Sequence, residues 1–241
     1  MRWLTATVAE TIPETIRSVT LRLEVPAWRG HRAGQHVDVR LTAEDGYTAQ
    51  RSYSIASAPG DPRLELTVVR IDDGEVSPYL AGTAEVGDQL ELRGPIGGWF
   101  VWDDDADTSP VLLVGGGSGI VPLMAMMRHH AHRESRTAMH LLYSARSIDD
   151  VIYRDELEGL GMSPHRAVTV TLTRGVSSGW TGHRGRVDAA LLEEVGWPSS
   201  AAPRCFVCGP NGFVEAVAND LVTLGHAPAR VKTERFGPTG G

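Results

Sequence analysis

The 241-residue chain carries 30 acidic against 23 basic side chains, a formal net charge of -7, which argues against a general nucleic-acid or anionic-membrane binder. With 41% hydrophobic and 22% charged residues, the composition is that of a globular protein with enough chain for one large or two modest domains. No apolar run approaches the ~20 residues of a membrane helix, and the longest, around 110–127, is broken by Gly115, Gly116, Gly117, Ser118, Gly119 and Pro122. The N-terminus passes from Met1-Arg2-Trp3 straight into strand-like alternation, so no signal peptide is expected and a cytoplasmic location follows by default. Two cysteines, Cys205 and Cys208, exclude a disulfide framework and an internal four-cysteine iron–sulfur cluster. Their C-x-x-C lies in a strand-like context, where odd separations point to opposite faces. One core cysteine and one at a strand end are expected there, not a dithiol or metal pair.

In chain order, the first ~100 residues read as short strands joined by turns. Ile16–Glu24, His36–Leu41 and Leu64–Ile71 alternate apolar and polar residues. Turn signals separate them at Arg29-Gly30, Asp45-Gly46, Pro59-Gly60-Asp61, Asp73-Gly74 and Gly87-Asp88. Strands at this spacing suggest a closed antiparallel barrel, with one short helix at Ser77–Leu80. The stretch Gly94–Ser109, ending in a run of aspartates, is the best boundary, giving expected domains 1–104 and 105–241. From Pro110 the pattern becomes β–α. Strands are expected at Val111–Val114, Ala138–Tyr143, Val168–Thr173 and Cys205–Cys208. Helices are expected at Ile120–His132, Ile152–Leu160, Ala189–Val195 and Phe213–Leu224. The fold class is therefore an N-terminal antiparallel β-barrel followed by a C-terminal doubly wound parallel α/β domain.

Four motifs carry chemistry. Arg51-Ser52-Tyr53-Ser54 offers a guanidinium for a phosphate, a flat aromatic face and a hydroxyl for a ring nitrogen. Gly74-Glu75-Val76-Ser77 is a glycine turn leading into a helix, which can present N–H groups to an anion; it also reads simply as a helix capped by Ser77. Gly115-Gly116-Gly117-Ser118-Gly119-Ile120 joins a buried strand to a helix, though Ile120 stands where the usual dinucleotide fingerprint needs glycine. Cys208-Gly209-Pro210 ends the last apolar strand, at the carboxyl edge where open parallel sheets bind ligands. The three histidines His129, His130 and His132 read as a solvated helix face, and Asp103, Asp104, Asp105 and Asp107 as a solvated linker without EF-hand spacing; no metal site is expected.

In this order, R-x-Y-S, G-x-x-S, G-G-G-x-G-I-x-P and C-G-P closely resemble the ferredoxin–NADP reductase superfamily across nearly the whole chain. Gly94-Pro95-Ile96-Gly97 and Glu234-Arg235-Phe236-Gly237-Pro238 are similar to its oxygenase-reductase and flavohaemoglobin branches. The resemblance implies a Greek-key FAD-binding barrel and an NAD(P)-binding domain. It implies that Arg51 pairs with the FAD pyrophosphate, that Tyr53 stacks on the isoalloxazine and that Ser54 sits near its N5. Ser52, Thr67 and Val69 belong to the same FAD site, and Gly74, Val76 and Ser77 hold the pyrophosphate. Gly116, Gly117, Ser118, Gly209 and Pro210 face the nicotinamide dinucleotide. Cys208 and Glu234 lie near the nicotinamide and, with Ser54, order hydride transfer; Phe236 covers the flavin's other face. The tail 237–241 is expected to be flexible. Thr173-Arg174 after the third α/β strand, with Arg146 and Arg184, points to NADPH over NADH as donor.

The function so implied is hydride transfer from NADPH to FAD. Electrons then pass to a separate acceptor, a ferredoxin-type iron–sulfur protein of an oxygenase system, because the chain lacks cysteines for its own cluster. Free flavin, ferric complexes or a quinone are alternative acceptors, and a non-catalytic FAD-binding subunit is the alternative class. No nucleic-acid or membrane partner is expected, and a monomer is the default.

Overall fold

The computed structural model describes residues 2–43, 45–103, 107–175 and 179–236. The chain divides into two compact units, one of residues 1–103 with 124–129 and one of residues 104–123 with 130–241. The expected boundary at 104/105 lies outside the described residues, as do Asp104, Asp105 and the tail 237–241.

The first unit contains β1 (Leu4–Thr15), β2 (Ser18–Glu24), β3 (His36–Thr42), β4 (Thr48–Ser54), β5 (Leu64–Val69), α1 (Ser77–Gly82) and β6 (Gln89–Ile96). The sheet order is β4-β3-β6-β1-β2-β5, with antiparallel pairing throughout. A bridge between Ile55 and Leu66, and the Ala56 N–H donated to Glu65 O at 2.8 Å, join the two outer strands and close the barrel. The join lies at the end of β4 and the start of β5. The alternation of β2 turns Leu21 and Leu23 inward, where they pack with Val37, Val39, Leu66, Val68, Leu90 and Leu92. Each such buried aliphatic contributes about 1.5–3 kcal/mol. Register irregularities in β1 after Val8 and Pro13 bend the strand. Two apolar strand ends read from the sequence fall outside the sheet: Ile16 is 96% exposed in the β1–β2 turn and Ile71 is 63% exposed beyond β5. Their side chains gain no burial, because the ladder there has already given way to a turn.

The second unit contains β7 (Val111–Gly116), α2 (Ile120–His132), β8 (Met139–Ala145), α3 (Arg154–Leu160), β9 (Arg166–Leu172), β10 (His183–Arg184), α4 (Ala189–Val195), β11 (Arg204–Pro210), α5 (Asn211–Thr223) and β12 (Val231–Phe236), its central segment 124–129 of α2 being grouped with the first unit. The parallel order is β10-β9-β8-β7-β11-β12. The chain winds outward from β7 through β8 to β9, then resumes on the other side at β11. The switch point is therefore between β7 and β11, whose carboxyl ends carry the glycine loop and Cys208-Gly209-Pro210. Helix α3 starts two residues later than the apolar pattern suggests, because Tyr153 adopts a left-handed conformation at φ 61°. Helix α4 begins where Asp188 accepts the Leu191 N–H at 2.9 Å.

Three sequence readings are corrected. Ser77 does not cap α1: Val76 holds the cap position, and the Ser77 hydroxyl receives the Ile71 N–H at 3.1 Å. The histidines do not form one solvated face. His130 is fully buried; Arg166 donates to its Nδ1 at 3.3 Å, so Nε2 carries the proton toward Thr137 O at 2.7 Å. His129 meets Trp102 edge-on, and only His132 is exposed. Asp107 is more than a solvated linker residue. It accepts the Ser109 N–H at 3.0 Å and pairs with Arg230 at 3.2 Å and Arg204 at 3.7 Å. The hydrogen bonds from Ser109, with the arginines behind them, hold its carboxyl down at about 2.

Candidate functional site

The antiparallel register of β3 and β4 decides which side chains of Arg51-Ser52-Tyr53-Ser54 act together. Arg51 lies opposite Val39 and Tyr53 opposite Val37, while Ser52 lies opposite Asp38. Arg51 and Tyr53 therefore share one face, and Ser52 takes the other, donating to Asp38 at 2.7 Å beside Arg93. Tyr53 packs half-buried against the barrel core, and that burial raises its phenol above the ordinary range. Ser54 ends the strand only 6% exposed. Its hydroxyl is buried and has no hydrogen-bond partner among the described residues. A buried hydroxyl left unpaired costs about 1–3 kcal/mol, and the Ser54 hydroxyl could be satisfied by a ligand atom.

The remaining first-unit residues divide by what their side chains already do. Val76 is wholly buried in the barrel core, so only its backbone is free to meet a ligand. Val69 closes β5 opposite Ser18. Thr20 donates to Glu14 at 2.7 Å, which leaves the Thr67 hydroxyl as the donor in the 2.7 Å Thr20–Thr67 bond. A Cβ at Gly74 would stand 2.9 Å from Ser77 Oγ and 3.0 Å from Ile71 O, so any larger residue there must push those neighbours aside. Arg51 donates to Glu75, which also accepts from the Tyr47 hydroxyl.

In the second unit, the glycine loop and the C-G-P turn interlock. A Cβ on Gly119 would lie 2.1 Å from Cys208 O, and one on Gly116 would meet the Phe213 ring at 2.8 Å. Gly209 is covered by the same ring, at 2.8 Å. These glycines serve close packing. Gly117 differs: it is exposed, at φ 55°, and a Cβ added there would meet no atom within 4 Å. Ser118 beside it is half-buried and Pro210 exposed. Cys208 sits in register between Gly115 and Glu234. Burial pushes its thiol well up, and the same cause raises the Glu234 carboxyl to about 7. Cys205 joins the apolar cluster with Leu112, Val207 and Val231. Phe236 ends β12, half-buried opposite Pro210.

At the carboxyl ends of β8 and β9, the Arg174 N–H donates to Arg146 O at 2.6 Å, and Thr173 donates both its N–H and hydroxyl to Ala145 O at 3.0 and 3.2 Å. That pairing sets two exposed arginines side by side, neither with a side-chain hydrogen bond or ion pair among the described residues. Arg184 instead donates to Trp180 O at 2.9 Å. A cavity of about 750 Å³ between α3, β9 and residues 179–183 is lined by none of the expected site residues.

The donor set fits a flavin dinucleotide. β4 carries all three groups, the Tyr53 ring and the Arg51 guanidinium on one face and the orphaned Ser54 hydroxyl at the strand's end, and a Cβ on Gly74 would crowd Ser77 and Ile71. Sequence reading does not single out Glu75 or Phe213. Only the tertiary packing shows that the first meets Arg51 and that the second explains two glycines.

Comparison with known proteins agrees. Residues 4–101 match the oxidoreductase FAD-binding domain and residues 113–219 the oxidoreductase NAD-binding domain. The chain thus joins, in order, the two domains of a flavin- and nicotinamide-dependent oxidoreductase. It is 38% identical over 212 residues to ferredoxin–NADP reductase B of Sorangium cellulosum, covering 85% of this chain and 84% of that protein. It is 34% identical over 228 residues to the glycine betaine monooxygenase reductase subunit of Chromohalobacter salexigens, covering 93% of this chain but only 61% of the longer relative. The FAD/NAD-binding domain of the nitric oxide dioxygenase of Vibrio cholerae superposes with a TM-score of 0.87 at 26% identity, covering 98% of this chain and 99% of that one. The chain belongs to the ferredoxin–NADP reductase superfamily. Among its described residues no helix is long and apolar enough to cross a membrane.

Proposed function

We propose that the protein is an FAD-dependent reductase that takes hydride from NADPH in preference to NADH and delivers electrons to a separate ferredoxin-type iron–sulfur protein of an oxygenase system. The observation that carries this reading is the buried, unpartnered Ser54 hydroxyl on the strand that also presents Tyr53 and Arg51. Bound FAD would supply the step from two-electron to one-electron chemistry. Arg51 anchors a phosphate, Tyr53 offers a ring face and Ser54 orients the ring edge. Gly117 and Ser118 provide the open part of the dinucleotide loop, at the switch point. The names of the reductase relatives support a separate oxygenase or ferredoxin partner. The two cysteines of this chain, both buried on β11, cannot hold a cluster. A cytoplasmic monomer goes with this reading.

The preference for NADPH rests on Arg146 and Arg174, which can grip a 2′-phosphate from two sides. Arg174→Ala is expected to raise the KM for NADPH about tenfold or more, with kcat and the KM for NADH little changed. Equal effects on both donors in steady-state assays would move the phosphate site elsewhere.

Glu234 ties the rate to pH. Its carboxyl ionises near 7 because burial disfavours the charge. A nicotinamide becomes cationic as it gives up hydride, and a nearby carboxylate stabilises that charge. Flavin reduction should therefore rise as pH passes upward through 7, and Glu234→Gln should flatten the profile in stopped-flow measurements. Stability runs the opposite way. The folded-state value lies above the ordinary 4.5, so the contribution is complete below 4.5 and lost as pH rises through 7. The ceiling is about 3 kcal/mol. Glu234→Gln should accordingly melt higher than the parent at pH 8.

The deciding experiment for the whole reading is an anaerobic absorbance titration of the purified protein with NADPH and then NADH. A flavin spectrum bleached faster by NADPH is expected. A protein that acquires no flavin spectrum when FAD is added would overturn the cofactor and the activity together.

A further inference from the structure

The loop Gly74-Glu75-Val76-Ser77 has an acid where an anion is expected to dock. Its conformation is fixed from beneath: Val76 is in the barrel core, and the Ser77 hydroxyl holds the Ile71 N–H at 3.1 Å. Glu75 is left as the exposed side chain of the loop. One carboxylate oxygen accepts from Arg51 Nη2 and the other from the Tyr47 hydroxyl. The other terminal nitrogen of Arg51 donates to Gln50 O at 2.7 Å. The guanidinium assigned to a phosphate is thus already neutralised by an internal carboxylate, and the arginine cannot give the same N–H groups to both anions.

We infer that Glu75 is an internal counter-anion for Arg51, which a flavin phosphate must displace, so that Glu75 rather than Arg51 alone sets how tightly this protein holds FAD. The inference rests on the FAD reading above. The Arg51 and Glu75 side chains are 36% and 42% exposed, so their pair is screened by water and readily exchanged. Docking FAD then swaps one anion on Arg51 for another. Arg51 adds less to cofactor retention than an unpaired arginine would.

The test is titration of flavin-free protein with FAD and with riboflavin, followed by quenching of flavin fluorescence. Glu75→Gln is expected to lower the Kd for FAD by roughly three- to tenfold at low salt, with a smaller gain at high salt. Riboflavin, which has no phosphate, is expected to bind the parent and the variant equally. In an Arg51→Ala background, Glu75→Gln should have no effect on FAD affinity, because the group it competes for is gone. FAD binding by Glu75→Gln equal to or weaker than the parent overturns the inference while leaving the FAD site intact. An undiminished gain in the Arg51→Ala background also overturns it, since Glu75 would then act on the phosphate directly. If neither parent nor variant binds FAD, the cofactor reading itself fails and the inference falls with it.

Discussion

Replacing Ser54 by alanine is expected to slow the reduction of bound flavin by NADPH by ten- to a hundredfold, on the order of what one positioned hydrogen bond contributes to a charge-shifting step. The FAD content of the purified protein should stay that of the parent. The hydroxyl is buried and unpartnered in the protein itself, so its removal breaks no internal hydrogen bond and relieves an unsatisfied group. On the proposed reading, anchoring of the cofactor falls to other side chains, Arg51 and Tyr53. Stopped-flow reduction and the absorbance ratio of flavin to protein separate the two effects. An unchanged rate would remove Ser54 from the transfer step; a lost spectrum would make it a binding residue.

Gly119→Ala is expected to be the most damaging change in the second unit. The added methyl would lie 2.1 Å from Cys208 O and 2.4 Å from its carbonyl carbon, both main chain. No rotamer can relieve an overlap with backbone, so the loop must part from β11, at a cost of about 1–3 kcal/mol or more. The same separation disorders the carboxyl edge at the switch point. NADPH affinity should fall by an order of magnitude or more in binding titrations, alongside a lowered denaturation midpoint. Gly117→Ala is the control. It meets no atom within 4 Å and incurs chiefly the left-handed backbone cost of about 1–2 kcal/mol. If both variants lower the denaturation midpoint alike, the interlock of the two turns is not what the glycine loop serves.

Much of the candidate site is legible in the sequence. The spacing of R-x-Y-S, G-x-x-S, the glycine run and C-G-P survives in sequence because each needs particular residue types in a short local window. Alternation placed β2 and β3, and continuous apolar runs placed β7 and β11, because burial on one face or two leaves a period in the chain. Helix α2 matched its expected limits, Ile120–His132. The sequence does not signal strand β12, since Val231–Phe236 is a half-exposed edge with a mixed composition that only its pairing with β11 makes a strand.

What composition and pattern determined, then, was the pair of domains, their order and the residue types that could meet a flavin and a dinucleotide. What only the tertiary structure decided was partnership. Cross-strand register turned Ser52 toward Asp38 and away from Arg51. Barrel closure brought Glu75 onto Arg51 across 24 residues of chain. Helix packing buried His130 and set Phe213 over two glycines. The physical reason is common to all of them. Periodicity records which face of an element is buried, whereas the identity of the neighbour across that face depends on register and closure, which involve residues far apart in the chain.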